Sequence, residues 1–363
     1  MEASNRVERV KSFSDRYDVI QTIGKGTYGE VQKCRDRTTN DIVAAKRIFI
    51  LRREDGFPLN TIREARLLFS LHHENIVELK LIIQSEDPQE GTYLIFEYCE
   101  YDLYALLYDV DETRPQPLLM KSLMKQFLVA LHYCCINQII HRDLKPANMF
   151  VSSHNVLKLG DFGLARTFEH KGKYSPKVIT QWYRPPELLL GCTEYGPEVD
   201  IWSAGCILYE MATSKILFHA KNNDDDLSQL MCIFGVCGFP QKQVLDLYRK
   251  FDRVDLIFNP RMPQDTTSHL EEIFKEIDSE NYPDLPDLLM EMLRYDPSKR
   301  ITAEMALNHK FFRNITSEAD PDMLPQMTRK EMHQKAASER KNKQKQIETL
   351  RPDRIRPPPV GAK

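Results

Sequence analysis

Hydrophobic and polar residues alternate along three short stretches near the start of the chain, which is the pattern of half-buried β-strands. These stretches are residues 19–23, 30–34 and 42–48. Three glycines, Gly24, Gly26 and Gly29, lie in the turn between the first two stretches, and glycine allows a backbone to approach a phosphate closely. A strand follows this turn, whereas a helix would follow it in the dinucleotide-binding pattern.

A helical pattern comes next, in residues 56–71, with Asn60 or Thr61 as its predicted cap. One face carries a carboxylate in line with three leucines: Glu64, Leu67, Leu68 and Leu71. A second apolar stripe lies roughly opposite: Ile62, Ala65 and Phe69. Because an unpaired buried charge is costly, we expect Glu64 to pair with Lys46 of the third strand. The second stripe needs a cover of its own, either a loop of this chain or a partner subunit.

The densest polar cluster lies in residues 139–148, after an apolar helical pattern at 118–135. Within eight residues it holds His141, Arg142, Asp143, Lys145 and Asn148. Polar groups this dense beside apolar residues are costly unless they act together, although a polar surface turn is the alternative. The carboxylate can accept a proton, the lysine can neutralise a phosphate and the amide can offer an oxygen to a metal. This combination suits phosphoryl transfer, which depends on positioning and charge neutralisation.

A second carboxylate follows the predicted strand at 156–159. Asp161 stands 18 residues after Asp143 and is a candidate magnesium ligand. A polar segment over 164–181 leads into a helical half that extends to about Phe312. The acidic run from Asn222 to Asp226 is more typical of a helix N-terminus than of a metal site.

Composition sets the broad class of the protein. A chain of 363 residues with 42% hydrophobic content is too long for one ordinary domain, so we expect two lobes and a tail. Without an apolar run of about 18 residues we expect no membrane span, and residues 1–14 lack the apolar centre of a signal peptide. The eight scattered cysteines are typical of reduced thiols in an intracellular protein, and not of disulfides or zinc ligands.

Taken in order, the motifs resemble those of eukaryotic Ser/Thr protein kinases from about Tyr17 to Phe312. The set comprises the three glycines, Lys46, Glu64, residues 141–148, Asp161-Phe162-Gly163 and Pro186-Glu187. The resemblance implies an α+β, bilobal kinase fold with a small β-rich N-lobe that holds one key helix and a larger helical C-lobe. The expected divisions are an N-terminal extension at 1–16, an N-lobe at 17–97, a C-lobe at 98–315 and a basic, partly disordered tail at 316–363.

Two segments narrow the resemblance. The segment from Pro58 to Glu64 is similar to the cyclin-binding helix motif of cyclin-dependent kinases. Residues 177–191 resemble the transcriptional branch of these kinases, whose members phosphorylate the repeat tail of RNA polymerase II. The resemblance therefore implies a cyclin as the cover of the second stripe, substrates with Ser or Thr followed by Pro, and a nuclear location.

The same resemblance assigns roles to individual residues. ATP contacts are expected from Ile23, Gly24, Lys25, Gly26, Thr27, Tyr28, Gly29, Val31, Ala44, Lys46, Glu64, Phe96, Glu97, Cys99 and Asp102. The catalytic set is Asp143 as the base, Lys145 as a γ-phosphate contact and Thr180 as their support. Asn148 and Asp161 are the expected magnesium ligands.

Regulation and substrate choice are implied in the same way. Ser175 occupies the position of the activating phosphothreonine, with Arg63, Arg142 and Arg166 as its clamp. A phosphate of about −1.5 to −2 charge would neutralise most of their mutual repulsion. Because Pro176 follows, Ser175 is itself a proline-directed site, and we hypothesise that this kinase or a relative phosphorylates it.

The substrate pocket and the glycine loop complete the assignment. Val178 and Arg184 match the pocket that prefers proline after the target residue, and Gln181 departs from the leucine that is usual at its position. Thr27 and Tyr28 resemble the inhibitory phosphorylation pair of the glycine loop, although both can instead be structural.

The net charge of −3 conceals a basic tail. Residues from Thr328 to Lys363 include 11 Lys/Arg and 4 Asp/Glu, a net charge of +7, so the rest of the chain carries −10. A solvated tail is the default interpretation. The alternatives are a nuclear-import signal and a helix that folds back near ATP, as in transcriptional relatives. Direct nucleic-acid binding is disfavoured because no aromatic residues interleave the charges.

Three other functions remain as alternatives at this point. A cell-cycle kinase or a proline-directed kinase that needs no cyclin would share these motifs. A pseudokinase scaffold would be expected to lack Lys46, Asp143, Asn148 or Asp161, and all four are present.

Overall fold

The structure is a computed structural model that describes residues 6–26, 29–48, 59–87, 90–108, 115–168, 172–220, 225–313, 315 and 333. Its strands are β1 (Val7–Val10), β2 (Tyr17–Gly26), β3 (Gly29–Asp36), β4 (Ile42–Ile48), β5 (Leu79–Ser85), β6 (Thr92–Glu97), β7 (Tyr101–Asp102), β8 (Ile139–Ile140), β9 (Met149–Val151), β10 (Leu157–Leu159) and β11 (Arg166–Thr167). Its α-helices are α1 (Leu59–Ser70), α2 (Leu103–Tyr108), α3 (Pro117–Ile136), α4 (Pro186–Leu189), α5 (Glu198–Thr213), α6 (Asp226–Cys237), α7 (Lys242–Tyr248), α8 (Leu270–Ile273), α9 (Leu285–Met292), α10 (Ala303–Leu307) and α11 (Lys310–Arg313).

The N-terminal lobe is a six-stranded sheet in the order β1-β5-β6-β4-β3-β2, with α1 packed against it. Neighbouring strands are antiparallel except β1, which runs parallel to β5. The C-terminal lobe is mainly helical and carries two small sheets, β10-β9-β7 and β11-β8. Both small sheets border the segments that hold the polar motifs, so they fix where those motifs leave the core.

The side chains of β4 alternate between the two faces of the sheet. Val43 and Ala45 are buried in an outer cluster, in which the ring of Phe13 stacks on that of Tyr93 with centroids 3.8 Å apart. Ala44 and Lys46 point to the opposite face and line the cleft between the lobes. Successive side chains of a strand face opposite ways, so the alternation that predicted this strand also brings Lys46 into the cleft.

The strand β1 was not predicted, and Arg6, the residue before it, partly covers the second stripe of α1. Arg6 donates from Nη1 to the Phe69 carbonyl at 2.6 Å, and its guanidinium lies 4.7 Å from the Phe69 ring centroid. Ala65 is 6% exposed and packs in the main core, so it belongs to the buried side of the helix. Ile62 remains 37% exposed. The expectation that the second stripe needs a cover of its own is therefore wrong for Ala65. For Phe69, part of that cover comes from this chain itself.

The C-terminal lobe is built around α3 and α5. Every residue of α5 from Val199 to Ala212 is buried, which is the behaviour of a helix apolar on all sides. Trp202 of α5 stacks on Phe218, and the Arg300 guanidinium lies 5.1 Å from the indole. Arg300 in turn binds Glu187 at the start of α4, and both side chains are at most 1% exposed. This contact anchors the start of α4 to the core.

The cysteines form no disulfide bonds, since all eight are free. Burial raises the pKa of the Cys192 thiol to about 11, and it also raises the pKa of Cys134.

In the part of the chain that the structure describes, no helix combines the length and apolar character needed to cross a membrane.

Candidate active site

A cavity of about 200 Å³ lies in the cleft under the first sheet. Eight of the residues expected to contact ATP line it: Ile23, Val31, Ala44, Lys46, Glu64, Phe96, Glu97 and Cys99. Both expected magnesium ligands, Asn148 and Asp161, line the same cavity. Four further residues, Val77, Tyr98, Phe150 and His333, complete the wall and were not assigned from the sequence.

Gly24 and Gly29 of the glycine turn, which were expected to contact ATP, are not among the residues that line the cavity, although their neighbours Ile23 and Val31 are. Gly24 and Gly29 lie in β2 and β3, which pair with each other. A Cβ on Gly29 would overlap the carbonyl oxygen of Arg47 in the neighbouring strand. This glycine is therefore required by strand packing as well as by any ligand. Lys25 and Gly26 belong to β2, whereas Thr27, Tyr28 and Pro58 lie outside the described residues.

The predicted pair of Lys46 and Glu64 is present. The Lys46 Nζ atom lies 2.9 Å from both carboxylate oxygens of Glu64, which is 3% exposed. Burial disfavours the ammonium, but the Glu64 and Asp161 carboxylates outweigh this effect and raise the pKa of Lys46. A charged lysine is thus held at the cavity wall, where it can meet phosphate.

Asp143 is held by three side chains. Lys145 Nζ donates to Oδ2 at 2.7 Å, Asn148 Nδ2 to Oδ2 at 3.1 Å and Thr180 Oγ1 to Oδ1 at 3.1 Å. The carboxylate therefore has one orientation, which a general base needs if it is to accept a proton from a bound hydroxyl. All three partners had been grouped with Asp143 from the sequence, but their convergence on one carboxylate is a property of the structure.

The loop that carries Asp143 is held in place by hydrogen bonds to Asp200, a residue that the sequence analysis did not identify. Asp200 of α5 is buried, and it accepts hydrogen bonds from the backbone N–H groups of His141 at 2.7 Å and Arg142 at 2.9 Å. Arg142 has a φ of 66°, a strained conformation for a residue with a side chain. The two bonds to Asp200 support this turn. An Asp at the start of a helix gives no signal that it will reach a loop 58 positions away.

The site has suitable ligands for Mg²⁺. Asn148 uses its Nδ2 atom to bind the carbonyl of Asp143 at 2.8 Å, so its Oδ1 atom is left for the cavity that the residue lines. Asp161 is exposed, and its carboxylate has no hydrogen bond or ion pair with another described residue. Two oxygen donors on one cavity wall fit the preference of Mg²⁺ for oxygen ligands. Asn148 and Asp161 would hold the metal.

One described residue of the tail reaches the cavity. The Nε2 atom of His333 lies 3.3 Å from the Tyr98 hydroxyl, and its Nδ1 atom is 3.9 Å from Asp102 Oδ2. Asp102 is 3% exposed, caps α2 through Ala105 N–H at 2.7 Å, and is not among the residues that line the cavity. Asp102 was expected to contact ATP but does not line the cavity. Its neighbour His333 lines the cavity wall instead. Of the alternatives for the tail, this placement favours one that folds back near the nucleotide.

The proposed substrate loop, from Val178 to Arg184, follows Ser175 and has an unusual backbone. Arg184 donates from Nε to the Val178 carbonyl at 2.7 Å and from Nη2 to the Ile179 carbonyl at 2.8 Å. Ile179 has a φ of 66°, which is a genuine outlier for a β-branched residue. Asp226 binds Arg184 Nη1 at 2.9 Å and keeps the guanidinium in place. Sequence reasoning found Val178 and Arg184 but missed Ile179 and Asp226, because a pattern of residue types does not reveal a positive φ.

The three arginines expected around Ser175 influence one another. Burial and the charges of Arg142 and Arg63 lower the pKa of Arg166. Arg142 donates to the Leu164 carbonyl at 2.8 Å and to the Tyr195 hydroxyl at 3.2 Å, and that hydroxyl donates to the Ser175 carbonyl at 2.6 Å. Ser175 itself is exposed. The structure thus brings a repulsive cationic cluster to the segment that holds an accessible hydroxyl.

A buried carboxylate joins the substrate loop to α2. Glu210 of α5 accepts from the Tyr108 hydroxyl at 2.5 Å and from the Tyr183 hydroxyl at 2.8 Å. Burial raises the pKa of Glu210 to about 7, although both hydrogen bonds oppose the shift. The ordinary value is 4.5, so the folded protein keeps this proton over a pH range in which the unfolded chain has lost it.

Glu210→Gln should therefore change how stability depends on pH. Between about pH 4.5 and 7 the folded state binds more protons at Glu210 than the unfolded state, so this group makes stability fall as pH rises. The Gln variant lacks that contribution, and its free energy of unfolding relative to wild type should rise by on the order of 3 kcal/mol across the window. Denaturant titrations at several pH values measure this. Glu280→Gln, an exposed carboxyl, is the control and should show no such trend; a flat difference for Glu210→Gln would contradict the assignment.

Comparisons with known proteins agree with this geometry. The family model for the protein kinase domain matches residues 17–312. Cyclin-dependent kinase C-2 of Oryza sativa subsp. japonica is 40% identical over 327 residues, which cover 86% of this chain and 62% of that protein. Cyclin-dependent kinase 12 of Drosophila melanogaster is 39% identical over 86% of this chain and 26% of that protein. The chain therefore spans about three fifths of the length of the rice relative, and less of the fly protein.

A solved structure shows the same fold. One chain in the crystal structure of the yeast RNA Pol II CTD kinase CTDK-1 complex superposes with a TM-score of 0.75 and 33% sequence identity, covering 85% of this chain and 96% of that one. The bilobal α+β fold expected from the sequence is thereby confirmed. The chain belongs to the protein kinase family, and the curated relatives that it is similar to are cyclin-dependent kinases.

Proposed function

We propose that this chain is a cyclin-dependent Ser/Thr kinase that transfers the γ-phosphate of ATP to Ser or Thr followed by Pro. The observation that carries the proposal is the arrangement around Asp143. Its carboxylate is held by Lys145, Asn148 and Thr180, and the two carbonyls that Arg184 binds lie directly before Thr180 in the chain. Protein kinases use ATP and Mg²⁺, and the cleft has a suitable residue for each of their contacts.

Bound MgATP supplies the phosphoryl group and the charge that balances its transfer. Asp143 accepts the proton of the substrate hydroxyl, and Lys145 stands within 2.7 Å of that carboxylate to neutralise the transferred phosphate. Lys46, oriented by Glu64, would hold the other phosphates, and Asn148 and Asp161 would hold the metal. Phe96, Glu97 and Cys99 line the cavity and would border the adenine.

Preference for proline follows from the two clamped carbonyls. Because Arg184 binds the carbonyls of Val178 and Ile179, neither is left to accept the N–H of a substrate residue. Any residue except proline would bring an unpaired backbone N–H into this pocket. The pocket thus favours proline directly after the phosphorylated residue.

A cyclin is the proposed partner of α1. Ile62 is 37% exposed on the helix that holds Glu64, in the segment that resembles the cyclin-binding motif. Because Arg6 already covers part of Phe69, the proposed cyclin surface is narrower than the full second stripe. A kinase that works without a cyclin is the second candidate, since Lys46 and Glu64 are paired in the chain alone.

Ser175 is the proposed activating site. Its hydroxyl is exposed, and the cationic cluster of Arg63, Arg142 and Arg166 offers charge that a phosphate would neutralise. The proposed substrate is the repeat tail of RNA polymerase II, and the proposed location is the nucleus. The match to the CTD kinase complex of yeast supports both.

The test is phosphate transfer to a polymerase-tail repeat peptide by this chain alone and with its co-purifying cyclin. We expect turnover of roughly 1–100 per second with the cyclin and far less without it. A matched peptide with alanine in place of the proline after each serine should be phosphorylated more slowly. Equal rates with and without the cyclin would overturn cyclin dependence and leave the kinase assignment intact.

A further inference from the structure

Gln181 is the residue of the substrate loop that the roles above leave without a function. It lies between Thr180, which touches Asp143, and the Tyr183–Arg184 pair that shapes the pocket. The residue is 7% exposed, and neither its Oε1 nor its Nε2 atom has a hydrogen-bond partner among the described residues. A buried amide without a partner is rare because it has lost its water and gained nothing in return.

The other polar groups of this segment are occupied. Thr180 binds Asp143, the Tyr183 hydroxyl binds Glu210, and the Tyr183 carbonyl accepts from Ser203 Oγ at 2.8 Å. The backbone carbonyl of Gln181 accepts from the Arg184 N–H at 3.1 Å. The backbone is therefore fixed, whereas no hydrogen bond from a described residue holds the side-chain amide. Turning that amide towards the substrate breaks no bond to the described part of the chain.

The pocket lacks an acceptor for the backbone N–H of a non-proline substrate residue, and the Gln181 amide can supply one. Arg184 occupies the carbonyls of Val178 and Ile179, so a substrate residue other than proline arrives with an N–H that finds no backbone acceptor. Gln181 Oε1 is an unused acceptor two residues further along the same loop. The leucine that is usual at this position in the family offers none.

We propose that Gln181 determines substrate specificity by accepting the backbone N–H of a non-proline residue that follows the target Ser or Thr. The kinase thus phosphorylates some sites without proline that a leucine at 181 would reject. This inference rests on the proposed function, because it concerns the same pocket.

The experiment uses the full chain with its co-purifying cyclin and three peptides that differ only after the target serine: proline, alanine or N-methylalanine. N-methylalanine has the size of alanine but no N–H. Wild type is compared with Gln181→Leu and with Gln181→Met, which nearly conserves the shape of the side chain. Both variants should lose about tenfold in kcat/KM on the alanine peptide and change less than twofold on the other two.

Each outcome decides between the possibilities. If the substitutions leave the alanine peptide unchanged, or lower all three peptides equally, the inference is overturned while the proposed function stands. If wild type phosphorylates none of the peptides, the proposed function falls and the inference falls with it. Both substitutions remove an unpaired buried amide, so neither variant should melt below wild type; loss of folding in both would show that the amide has a structural partner and would also overturn the inference.

Discussion

Replacing Asp143 by asparagine should lower kcat for peptide phosphorylation by about 10²–10⁴-fold, the range that a positioned general base contributes. Asparagine has nearly the same shape: its oxygen can keep the bond from Asn148, and its NH2 can donate to the Thr180 hydroxyl, while the proton acceptor is lost. Asp143 is not among the residues that line the nucleotide cavity, and the apparent affinity for ATP should change little. Steady-state kinetics with varied ATP and varied peptide separate these two effects.

The control for this variant is Asp41→Asn, an exposed carboxyl in the turn before β4, which should keep wild-type activity. Mass spectrometry of the Asp143→Asn protein, expressed without other proline-directed kinases, also tests self-activation. Ser175 should then carry no phosphate, and full phosphorylation there would exclude modification by this chain. A loss of kcat below tenfold would remove Asp143 from the role of base.

Replacing Arg300 by methionine should destabilise the fold by about 3–5 kcal/mol, because one partner of a buried ion pair is lost. Arg300 donates from Nη1 and Nη2 to the two oxygens of Glu187 at 2.6 and 2.7 Å, and from Nε to the Arg294 carbonyl at 2.7 Å. The variant leaves the Glu187 carboxylate with no charge partner in the core. Denaturant midpoints give the change in unfolding free energy.

Two further variants complete this prediction. Adding Glu187→Leu to Arg300→Met should recover most of the loss, since replacing both members of a buried pair by apolar residues is often close to neutral. Arg294→Met breaks a pair with Glu291 that is about 45% exposed, and this control should cost about 0–1 kcal/mol. A similar loss of unfolding free energy for Arg294→Met and Arg300→Met would show that the buried Arg300–Glu187 pair contributes no more to stability than an exposed pair.

Local patterns predicted much of the first sheet. The alternation over residues 42–48 matches β4, and the helical pattern matches α1 at its C-terminal end. In contrast, β1 and β5 were missed. The pairing of β1 with β5 joins residues about 75 positions apart, Val7 with Ile82, and neither residue carries a local signal for the other. The partial cover of Phe69 by Arg6 was missed for the same reason.

The candidate site divides in a similar way. Asp143, Lys145 and Asn148 could be named because they lie in one contiguous loop, and Asp161 because it follows a predicted strand 18 residues after Asp143. Each of these residue types permits only a few kinds of chemistry. His333 could not be placed, because nothing in its neighbourhood shows that it meets Tyr98, 235 positions away. Gln181 was noticed only as a departure, and its unpaired amide became visible once the surrounding hydrogen bonds were known.

By itself, then, the sequence determined the residues on which the proposed chemistry of this protein rests: a glycine turn expected to bind phosphate, a lysine–glutamate pair and a loop with a candidate base and a candidate metal ligand. These follow from residue type, spacing and the 2.0- and 3.6-residue periods of strands and helices. Only the tertiary structure decided which distant groups meet: Asp200 with the catalytic loop, Asp226 with Arg184, and Arg300 with Glu187 across 113 positions. The stability of such contacts depends on burial and on the geometry of both partners, and neither is encoded in the residues adjacent to them.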